Sequence, residues 1–460
     1  MPKGKAKRGK GSLSEEVKVR IPLGREELEL KIGIPSSHVR IARSKDERGE
    51  KSYEELTKEA LGNPIGTRSL RELCRGHSTV AILIDDKYRP TEAYRILPTL
   101  LEELRSTGFR EEGIAIVIGT GLHDPMDEEE VAKKVGDEIA SKYKTIVHNA
   151  YRTEEHTFCG FSSLGNPVWI NRTVAEADMR ICVGRIAPHG DAGYEGGAKM
   201  IVPGVSALET VMHNHAMFLS PYAGIGTLDE NPGRRDMDDI GGLVGIDFIV
   251  NFVIGNDGRP VKAFAGHYLR AHRNGVEYGD ENVWGCEIGT KADITIASLG
   301  SDPSEHRSLS LSLGLRGLAN ARRGTKPGGT IVYILGLGDG EEALEGKAGE
   351  TSPPIVSELA RSPMEKVLRR MERRDWENPE DWLHIMRASA RKARYWNHKI
   401  ILTGGRPSKE VIENLEASYV ESPEEAVRCA LKPYLGLKPR VLILPEATKT
   451  VPMEQFHRNL

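Results

Sequence analysis

The segments TVAILIDDKYRP (79–90) and GIAIVIGTGLH (113–123) decide the fold class. Each contains a short run of apolar, largely β-branched residues, which is typical of a buried strand. Between them, Leu97, Leu101 and Leu104 recur at helical spacing and would share one face of a helix. A strand, a helix and a second strand in this order form a βαβ unit, which builds a parallel sheet. We therefore predict an α/β protein.

The same alternation continues along the chain. Asp127 and Glu130 match a capping box, which predicts a helix that begins there and runs to about Lys142. Further strands are predicted at 145–147, 167–170 and 179–184, and a β-hairpin at 249–254 and 261–265. A second series follows, with strands predicted at 293–297, 330–335, 399–403 and 441–444 and helices at 307–322, 353–371 and 378–395.

These patterns predict two α/β domains with mainly parallel sheets and an active site in the cleft between them. We place the N-terminal domain at residues 14–278 and the C-terminal domain at residues 279–460. Residues 1–13 would be a basic disordered tail, since the first ten residues hold five cations and no acid.

Composition excludes several classes of protein. The 460 residues include 64 Lys and Arg and 67 Asp and Glu, a formal net charge of −3, which argues against a nucleic-acid-binding protein. The most apolar region, 240–254, is interrupted by Asp247 and Asn251, so no membrane span is predicted. The N-terminus lacks the apolar core of a signal peptide, and the five cysteines include no CxxC pair. We therefore expect a cytoplasmic protein with no disulfide framework.

Polar residues follow the first two predicted strands, where α/β folds place ligands. Asp85 and Asp86 could accept ribose hydroxyl groups, and Arg89 could bind a carboxylate through two nitrogen atoms. A solvated turn with an acidic helix cap explains these three residues equally well. His123 lies in a glycine-rich turn, and an imidazole side chain can accept and donate a proton near neutral pH, which suits proton transfer. A single histidine in a loop is nevertheless often without function.

Two more groups lie further along the chain. The loop 185–204 is long, polar and rich in glycine, and loops of this kind are usually functional or disordered. It contains His189 and Lys199, and a lysine among glycines is a candidate for covalent attachment. His213 and His215 follow in a predicted helix. Because residues two apart point to different sides of a helix, at most one of them is expected to bind a metal ion.

Taken together, these groups match a family pattern. The matching segments are Asp85-Asp86-x-x-Arg89-Pro90-Thr91, Gly119-Thr120-Gly121-x-His123, Gly165-Asn166-Pro167-Val168-x-Ile170-Asn171, Pro188-His189, Gly196-Gly197-Ala198-Lys199, Pro203-Gly204, and Glu209-Thr210 with His215. In these segments and their order the chain resembles the lactate racemase family, whose members use a nickel-pincer nucleotide. The resemblance covers most of the chain beyond the first 75 residues.

The resemblance implies where the cofactor would be held. Lys199 would form the thioamide link to the nickel-pincer nucleotide, and His215 would bind its nickel ion. Asp86 resembles an acid that contacts the cofactor. The N-terminal domain would then be the cofactor-binding and catalytic one, and the partners would be a small 2-hydroxy acid and, transiently, the proteins that make the cofactor.

The resemblance also implies an isomerase that racemises or epimerises a 2-hydroxy acid. The hydrogen on C2 is too weakly acidic for simple proton abstraction beside a carboxylate, so a hydride would leave C2 and return to its other face. His123 and His189 would be the general acid/base pair, and Arg89 and Arg316 would bind the substrate.

Three positions depart from the family pattern. Where a Gln-x-x-Lys pair is expected, after an apparent insertion, the chain has Leu313 and Arg316; an alignment shifted by three residues would place Ser310 and Leu313 there instead. Glu195 stands where a small residue is expected. Leu313 replaces a polar contact with apolar surface, so we expect a bulkier 2-hydroxy acid than lactate to be the better substrate. Two alternatives remain: a redox enzyme that releases the 2-keto acid, and a cofactor-binding paralogue without racemase activity.

Overall fold

The structure is a computed structural model that describes residues 17–23, 26–45, 47–300, 314–335, 369, 397–405, 407 and 409–457. The described residues divide into two compact units. The first, here the large unit, contains residues 44–287 and 449–457. The second, the small unit, contains residues 17–43, 288–335 and 397–448 with the gaps given above.

The strands in chain order are β1 (Val17–Leu23), β2 (Glu26–Ile32), β3 (Val39–Ile41), β4 (Val80–Asp85), β5 (Ile114–Gly119), β6 (Lys144–Val147), β7 (His156–Phe161), β8 (Pro167–Asn171), β9 (Met179–Ile186), β10 (Pro188–His189), β11 (Gly193–Tyr194), β12 (Phe248–Ile254), β13 (Pro260–Gly266), β14 (Gly285–Glu287), β15 (Ala292–Ser298), β16 (Thr325–Ile334), β17 (Lys399–Thr403), β18 (Ser418–Val420), β19 (Val441–Leu444) and β20 (Val451–Met453).

The helices are α1 (Tyr53–Gly62), α2 (Leu70–Leu73), α3 (Ala93–Ser106), α4 (Glu128–Val135), α5 (Asp137–Lys142), α6 (Arg172–Glu176), α7 (Leu208–Ala216), α8 (Pro232–Val244), α9 (Tyr268–Asn282), α10 (Gly314–Gly324), α11 (Lys409–Asn414) and α12 (Pro423–Leu431). Short 3₁₀ helices lie at Ser36–His38, Glu111–Gly113, Thr153–Glu155, Gly197–Met200, Met217–Leu219 and Lys432–Tyr434. No helix within the described ranges is both long and apolar enough to cross a membrane.

The large unit is built on a six-stranded sheet in the order β13-β12-β9-β4-β5-β6. All neighbours are parallel except β13, which forms an antiparallel edge with β12. Along β4, Ile82 and Ile84 belong to one buried cluster, whereas Leu83 belongs to another on the opposite face. Because successive strand residues point to opposite faces, a continuous apolar run such as this one fits a sheet covered on both sides. Helix α3 contributes to the first cluster and helix α8 to the second.

The predicted βαβ unit and the predicted hairpin are both present in this sheet. Asp127 forms the predicted capping box with Glu130 at the start of α4. The predicted helix to Lys142, however, is interrupted at Gly136, whose φ of 92° is not helical, and α5 follows. Strand β8 is not in the main sheet, since it pairs with β7 in a separate antiparallel hairpin.

The small unit has its own six-stranded sheet in the order β18-β17-β16-β15-β19-β3, in which all neighbours are parallel. The hairpin of β1 and β2 contributes Ile21 and Leu30 to the same buried cluster as Ile296 and Val332 of this sheet. The predicted α/β fold with mainly parallel sheets is therefore confirmed in both units, while the predicted cleft between domains stays a prediction.

The units do not follow the predicted domain boundary throughout. The sequence-based division assigns residues 17–43 to the N-terminal domain, yet β3 pairs with β19, which places that segment in the small unit. Conversely, β20 pairs with β14 and belongs to the large unit. Such pairings join distant parts of the chain and leave no local pattern in the sequence. The predicted helices 353–371 and 378–395 and the tail 1–13 lie outside the residues described in continuous segments.

Candidate active site

A cavity in the large unit lies where β4, β5 and β9 end. Because these strands are parallel neighbours, their carboxyl ends meet at one edge of the sheet, where open α/β sheets bind ligands. The charged and titratable side chains that line the cavity include Asp86, Arg89, His123, Arg185, Glu195 and Lys199. Four predicted site residues, Asp86, Arg89, His123 and Lys199, thus come together from three separate segments of the sequence.

His123 forms a close pair with Asp86. Its Nδ1 lies 2.6 Å from Oδ2 of Asp86, and the side chains are 41% and 3% exposed, respectively. Tyr88 donates its backbone N–H to the other carboxylate oxygen at 3.1 Å, and its ring meets the imidazole edge to face. A carboxylate beside Nδ1 favours the tautomer with the hydrogen on that atom, which leaves the lone pair on Nε2. His123 is therefore arranged as a proton acceptor.

Asp85, the neighbour of Asp86, is bound on both carboxylate oxygens by other side chains of the protein. Its Oδ1 lies 2.7 Å from Nζ of Lys134, and its Oδ2 accepts a hydrogen bond from Thr91 at 2.6 Å. The same Nζ donates to the carbonyl oxygens of Asp86, Arg89 and Thr91 at 2.9, 3.2 and 2.9 Å. Burial raises the pKa of Asp85, although Lys134 opposes this shift. The pair therefore ties together the turn that carries Asp86 and Arg89.

Polar side chains from other segments form hydrogen bonds to the backbone of the glycine loop, residues 193–197. Arg234 is fully buried and donates to the carbonyl oxygens of Tyr194 and Gly196 at 3.1 and 3.4 Å. His272 bonds to the carbonyl of Glu195 at 2.9 Å, and Asn251 accepts the N–H of Gly197 at 2.8 Å. These contacts fix the backbone just before the 3₁₀ helix that carries Lys199.

Two positions in this loop require glycine. Gly193 has a φ of 76°, and a Cβ added there would overlap the carbonyl oxygen of Thr227. Gly196 has a φ of 83°, and its Cβ would approach the carbonyl oxygen of Arg185 to 2.7 Å. Residues with a Cβ rarely adopt a positive φ, and neither position has space for a Cβ. The loop can therefore pack this closely only with glycine at both positions.

Lys199 is the candidate for covalent attachment of a cofactor, and the pKa of its amine is lowered. Burial, together with the positive charge of Arg89, lowers the pKa of Lys199 to about 8, although Glu195 opposes the shift. A larger share of the amine is then neutral near pH 7 than in a free lysine, and the neutral amine is the nucleophilic form. This environment suits acylation of Lys199.

Glu195 bridges two arginines at the cavity wall. Its Oε1 lies 3.2 Å from Nε of Arg89, and its Oε2 accepts a short hydrogen bond from Nε of Arg185. Although burial alone would raise it, the two guanidinium groups hold the pKa of Glu195 well below its usual value. Glu195 is therefore an ionised carboxylate inside the site.

His189 differs from His123 in its surroundings. Its Nδ1 accepts the backbone N–H groups of Asp191 and Ala192 at 3.2 and 3.1 Å, so the neutral ring carries its hydrogen on Nε2. Burial and the charge of Lys199 hold the pKa of His189 well below its usual value. His189 is not among the residues that line the cavity, although it interacts electrostatically with Lys199, Glu195 and Arg89.

The two histidines of α7 lie in different environments. His213 is exposed and bonds to the carbonyl of Glu209 at 2.9 Å, whereas His215 is half-buried and its ring packs against Phe218. Asn214 between them is buried and donates to Asp236 at 2.9 Å, which fixes the orientation of the helix. Among the described residues no group of three His, Cys, Asp or Glu side chains could hold a metal ion, and neither histidine lines the cavity.

The remaining substrate candidate lies in the small unit. Arg316 is in α10 and is half-buried, and Leu313 lies outside the described residues. The roles predicted for both residues stay predictions.

Comparison with known proteins shows which proteins the chain resembles. The model of the lactate racemase N-terminal domain matches residues 23–226. The chain is 29% identical to the lactate racemase of Thermoanaerobacterium thermosaccharolyticum over 95% of this chain and 99% of that protein. It is 27% identical to the lactate racemase of Lactiplantibacillus plantarum over 86% of this chain and 90% of that one. The chain is thus similar to lactate racemases along most of its length. The predicted resemblance to the lactate racemase family is thereby confirmed.

Solved structures agree with this resemblance. The lactate racemase apoprotein from T. thermosaccharolyticum superimposes with a TM-score of 0.76 at 28% identity, covering 95% of this chain and all of that one. A protein from Thermotoga maritima superimposes with a TM-score of 0.57 at 17% identity, covering 87% of this chain and 98% of that one, and shows the fold alone.

Sequence reasoning missed several residues around the cavity. Lys134, Arg234 and His272 contact the site turn or the glycine loop from helices remote in sequence, and no motif marks them. Asn251 carried a signal, since a polar residue within an apolar strand needs a hydrogen-bond partner once buried. The sequence placed Arg185 only at the start of the predicted loop 185–204, although it lines the cavity and pairs with Glu195.

Proposed function

We propose that the protein is a racemase or epimerase of a 2-hydroxy acid, with a nickel-pincer nucleotide attached through Lys199. The observation that carries this proposal is one cavity lined by a perturbed lysine amine, an imidazole paired with a carboxylate, and the guanidinium group of Arg89. These groups could respectively hold a cofactor, move a proton and bind a carboxylate.

The residues around Lys199 fit a covalently attached cofactor. Lys199 is half-buried, the pKa of its amine is lowered to about 8, and Gly119, Gly121 and Gly204 line the same cavity without side chains. For the nickel ion, half-buried His215 is the candidate of the two histidines on α7, since His213 is exposed. When bound, the cofactor supplies a centre that can accept a hydride from C2 of the substrate and return it.

His123 is the proposed proton acceptor for the substrate hydroxyl group. With its hydrogen on Nδ1 toward Asp86, the ring offers the lone pair of Nε2. Asp86 would stabilise the imidazolium formed when the hydroxyl proton arrives, and it holds the ring in that tautomer. The terminal nitrogen atoms of Arg89 would bind the substrate carboxylate, because its Nε already faces Glu195. Loss of hydride from C2 and of the proton from the hydroxyl group leaves a planar 2-keto acid, which can take the hydride back on the other face of C2 and the proton back on its oxygen atom.

His189 is the proposed second member of the acid/base pair. Because Nδ1 accepts two backbone N–H groups, Nε2 of the neutral ring carries the hydrogen and can donate to a substrate oxygen. The two histidines would then differ in their resting roles, with His123 as proton acceptor and His189 as hydrogen-bond donor. Each substitution to Ala should lower turnover by about 10²- to 10⁴-fold, the effect typical of a lost acid or base.

The test is to produce the protein together with cofactor-synthesis proteins and to supply a panel of 2-hydroxy acids labelled with deuterium at C2. We expect nickel in the purified protein, interconversion of enantiomers measured by polarimetry, and products that keep the deuterium. Loss of the label to solvent would overturn hydride transfer. Net release of the 2-keto acid would support the redox alternative, and nickel without turnover of any substrate would support the inactive paralogue.

The substrate is proposed to be larger than lactate. This expectation depends on Leu313, which replaces a polar residue of the family pattern and should favour an apolar substituent by about 10- to 200-fold. Comparing kcat/KM for lactate with longer and aromatic 2-hydroxy acids, in the wild type and in Leu313→Gln, tests it. If lactate is the best substrate of the wild-type enzyme, the interpretation of Leu313 is wrong.

A further inference from the structure

Glu195 places a negative charge where the family pattern has a small residue. Its side chain is 9% exposed and lies at the cavity wall, close to the arginine proposed to bind the substrate carboxylate. A buried carboxylate in a binding site changes which anions that site accepts, because like charges in a partly desolvated site repel each other.

The contacts of Glu195 leave part of each guanidinium group available. Both arginines meet Glu195 through Nε, and the side chains of Arg89 and Arg185 are 22% and 20% exposed. Among the described residues, the side chain of Arg89 forms one hydrogen bond, from Nη1 to the carbonyl oxygen of Tyr88 at 3.3 Å. The terminal nitrogen atoms of Arg185 have no hydrogen-bond partner within the described part of the chain. Both groups therefore keep donors for an anion in the cavity.

The charges of this triad leave one positive charge unbalanced. Arg89 and Arg185 contribute two positive charges and Glu195 one negative charge. Of the two other carboxylates at this edge, Asp85 is paired with the cation of Lys134. Asp86 bonds to neutral His123, and its negative charge is a further one that a second substrate carboxylate would meet. Under the proposed function Lys199 is acylated and carries no charge. The triad thus matches one carboxylate, and a second one would lie beside Glu195 without a free cation.

We propose that Glu195 is a specificity-determining residue that restricts the site to 2-hydroxy acids with a single carboxylate. This inference rests on the proposed function for the substrate class, and it goes beyond it by assigning the number of acidic groups. Without Glu195 the two guanidinium groups would form a site for two carboxylates, because an arginine fork pairs well with one carboxylate each.

The experiment measures binding of lactate and malate, a 2-hydroxy acid with a second carboxylate, by calorimetry at low ionic strength. It uses the full-length protein produced with the cofactor-synthesis proteins, so that Lys199 is acylated as the charge count requires. Wild-type protein should bind lactate at least as tightly as malate. In Glu195→Gln the ratio of malate affinity to lactate affinity should rise by about tenfold or more, because a repelling charge is removed from a partly buried site. Glu130→Gln makes the same charge change outside the cavity, at a residue paired with Lys87, and should leave the ratio unchanged.

A double variant separates charge from structure. Arg185→Gln with Glu195→Gln removes one cation and one anion, which restores a single unbalanced charge, so the ratio should return to the wild-type value. If Glu195→Gln does not fold, Arg185→Gln carries the test, since the triad is then neutral and lactate affinity should fall by about tenfold.

An unchanged ratio in folded Glu195→Gln, an unchanged lactate affinity in Arg185→Gln, or the absence of any binding would overturn the inference. Calorimetry measures binding and not turnover. Each of these three results is therefore distinct from failure of the proposed racemase activity, which is measured by polarimetry.

Discussion

Replacing Lys134 by methionine should destabilise the large unit and disorder the turn that carries Asp86 and Arg89. Lys134 is 8% exposed, and its ammonium group contacts one carboxylate oxygen of Asp85 and three backbone carbonyl oxygens. Methionine keeps most of the aliphatic volume but offers none of these hydrogen bonds. Asp85 then remains buried with only Thr91 as a hydrogen-bond donor to its side chain among the described residues.

The expected loss follows from removing one partner of a buried ion pair, which typically costs about 3–5 kcal/mol. At roughly 2–4 °C per kcal/mol for a unit of this size, a loss of about 3 kcal/mol corresponds to a decrease in Tm of roughly 6–12 °C. The measurement is thermal unfolding of wild type and variant by calorimetry and circular dichroism.

The loss of stability caused by Lys134→Met should depend on pH. Burial already raises the pKa of Asp85, and removing Lys134 raises it further because the charged carboxylate loses its cation. An acid with a raised pKa in the folded state stabilises that state fully below its unfolded pKa, and the contribution is lost as pH rises through the folded value. The variant should therefore be closest to wild type near pH 4 and furthest from it near pH 8.

A second substitution provides the control. Asp85→Asn in the Lys134→Met background removes the charge that was left unpaired, so part of the lost stability should return and the pH dependence should weaken. A Tm within about 2 °C of wild type, or a deficit that is equal at pH 4 and pH 8, would refute this account of the Asp85–Lys134 pair.

Three further predictions concern the cavity. Lys199→Ala should abolish covalent cofactor attachment while the protein stays folded, as seen by intact-mass spectrometry; wild-type protein without added mass after co-expression with the synthesis proteins would contradict it. His215→Ala should lose nickel and His213→Ala should keep it, because only His215 is half-buried, and equal loss in both folded variants would exclude this assignment. Asp86→Asn should lower turnover by about 10²- to 10⁴-fold with little change in Tm, because His123 loses the carboxylate that orients it; near wild-type turnover would separate Asp86 from the mechanism.

Much of the fold could be predicted because its signals are local. The buried strand β4 is visible as five consecutive apolar residues before Asp85, and the start of α4 is visible as a capping box. The break at Gly136 was missed because a single glycine within a helical pattern is also compatible with a continuous helix. The pairing of β3 with β19 was missed for a different reason, since strand partners distant in sequence share no periodicity.

Some residues of the candidate site could likewise be predicted from the sequence, and others could not. Asp86, Arg89 and His123 could be predicted because they follow strands whose carboxyl ends meet at one edge of the sheet. Lys134 and Arg234 could not be predicted, because their importance comes from the backbone atoms they contact across the fold. Backbone acceptors exist at every residue, so the sequence of a contacting side chain does not reveal which ones it will reach.

Adjacent acids show how the fold assigns different roles to the same chemistry. Asp85 ends β4 and turns its carboxylate to buried Lys134, whereas Asp86 has left the strand and turns its carboxylate to His123 at the cavity. The sequence presents two equivalent acids, and only the position of the strand end distinguishes them. Lys134 bonds to the carboxylate of Asp85 and to the backbone carbonyl of Asp86, so a single cation fixes both the structural acid and the residue that orients His123. Loss of Lys134 should therefore impair the orientation of His123 as well as stability, although the two residues do not touch in the described contacts.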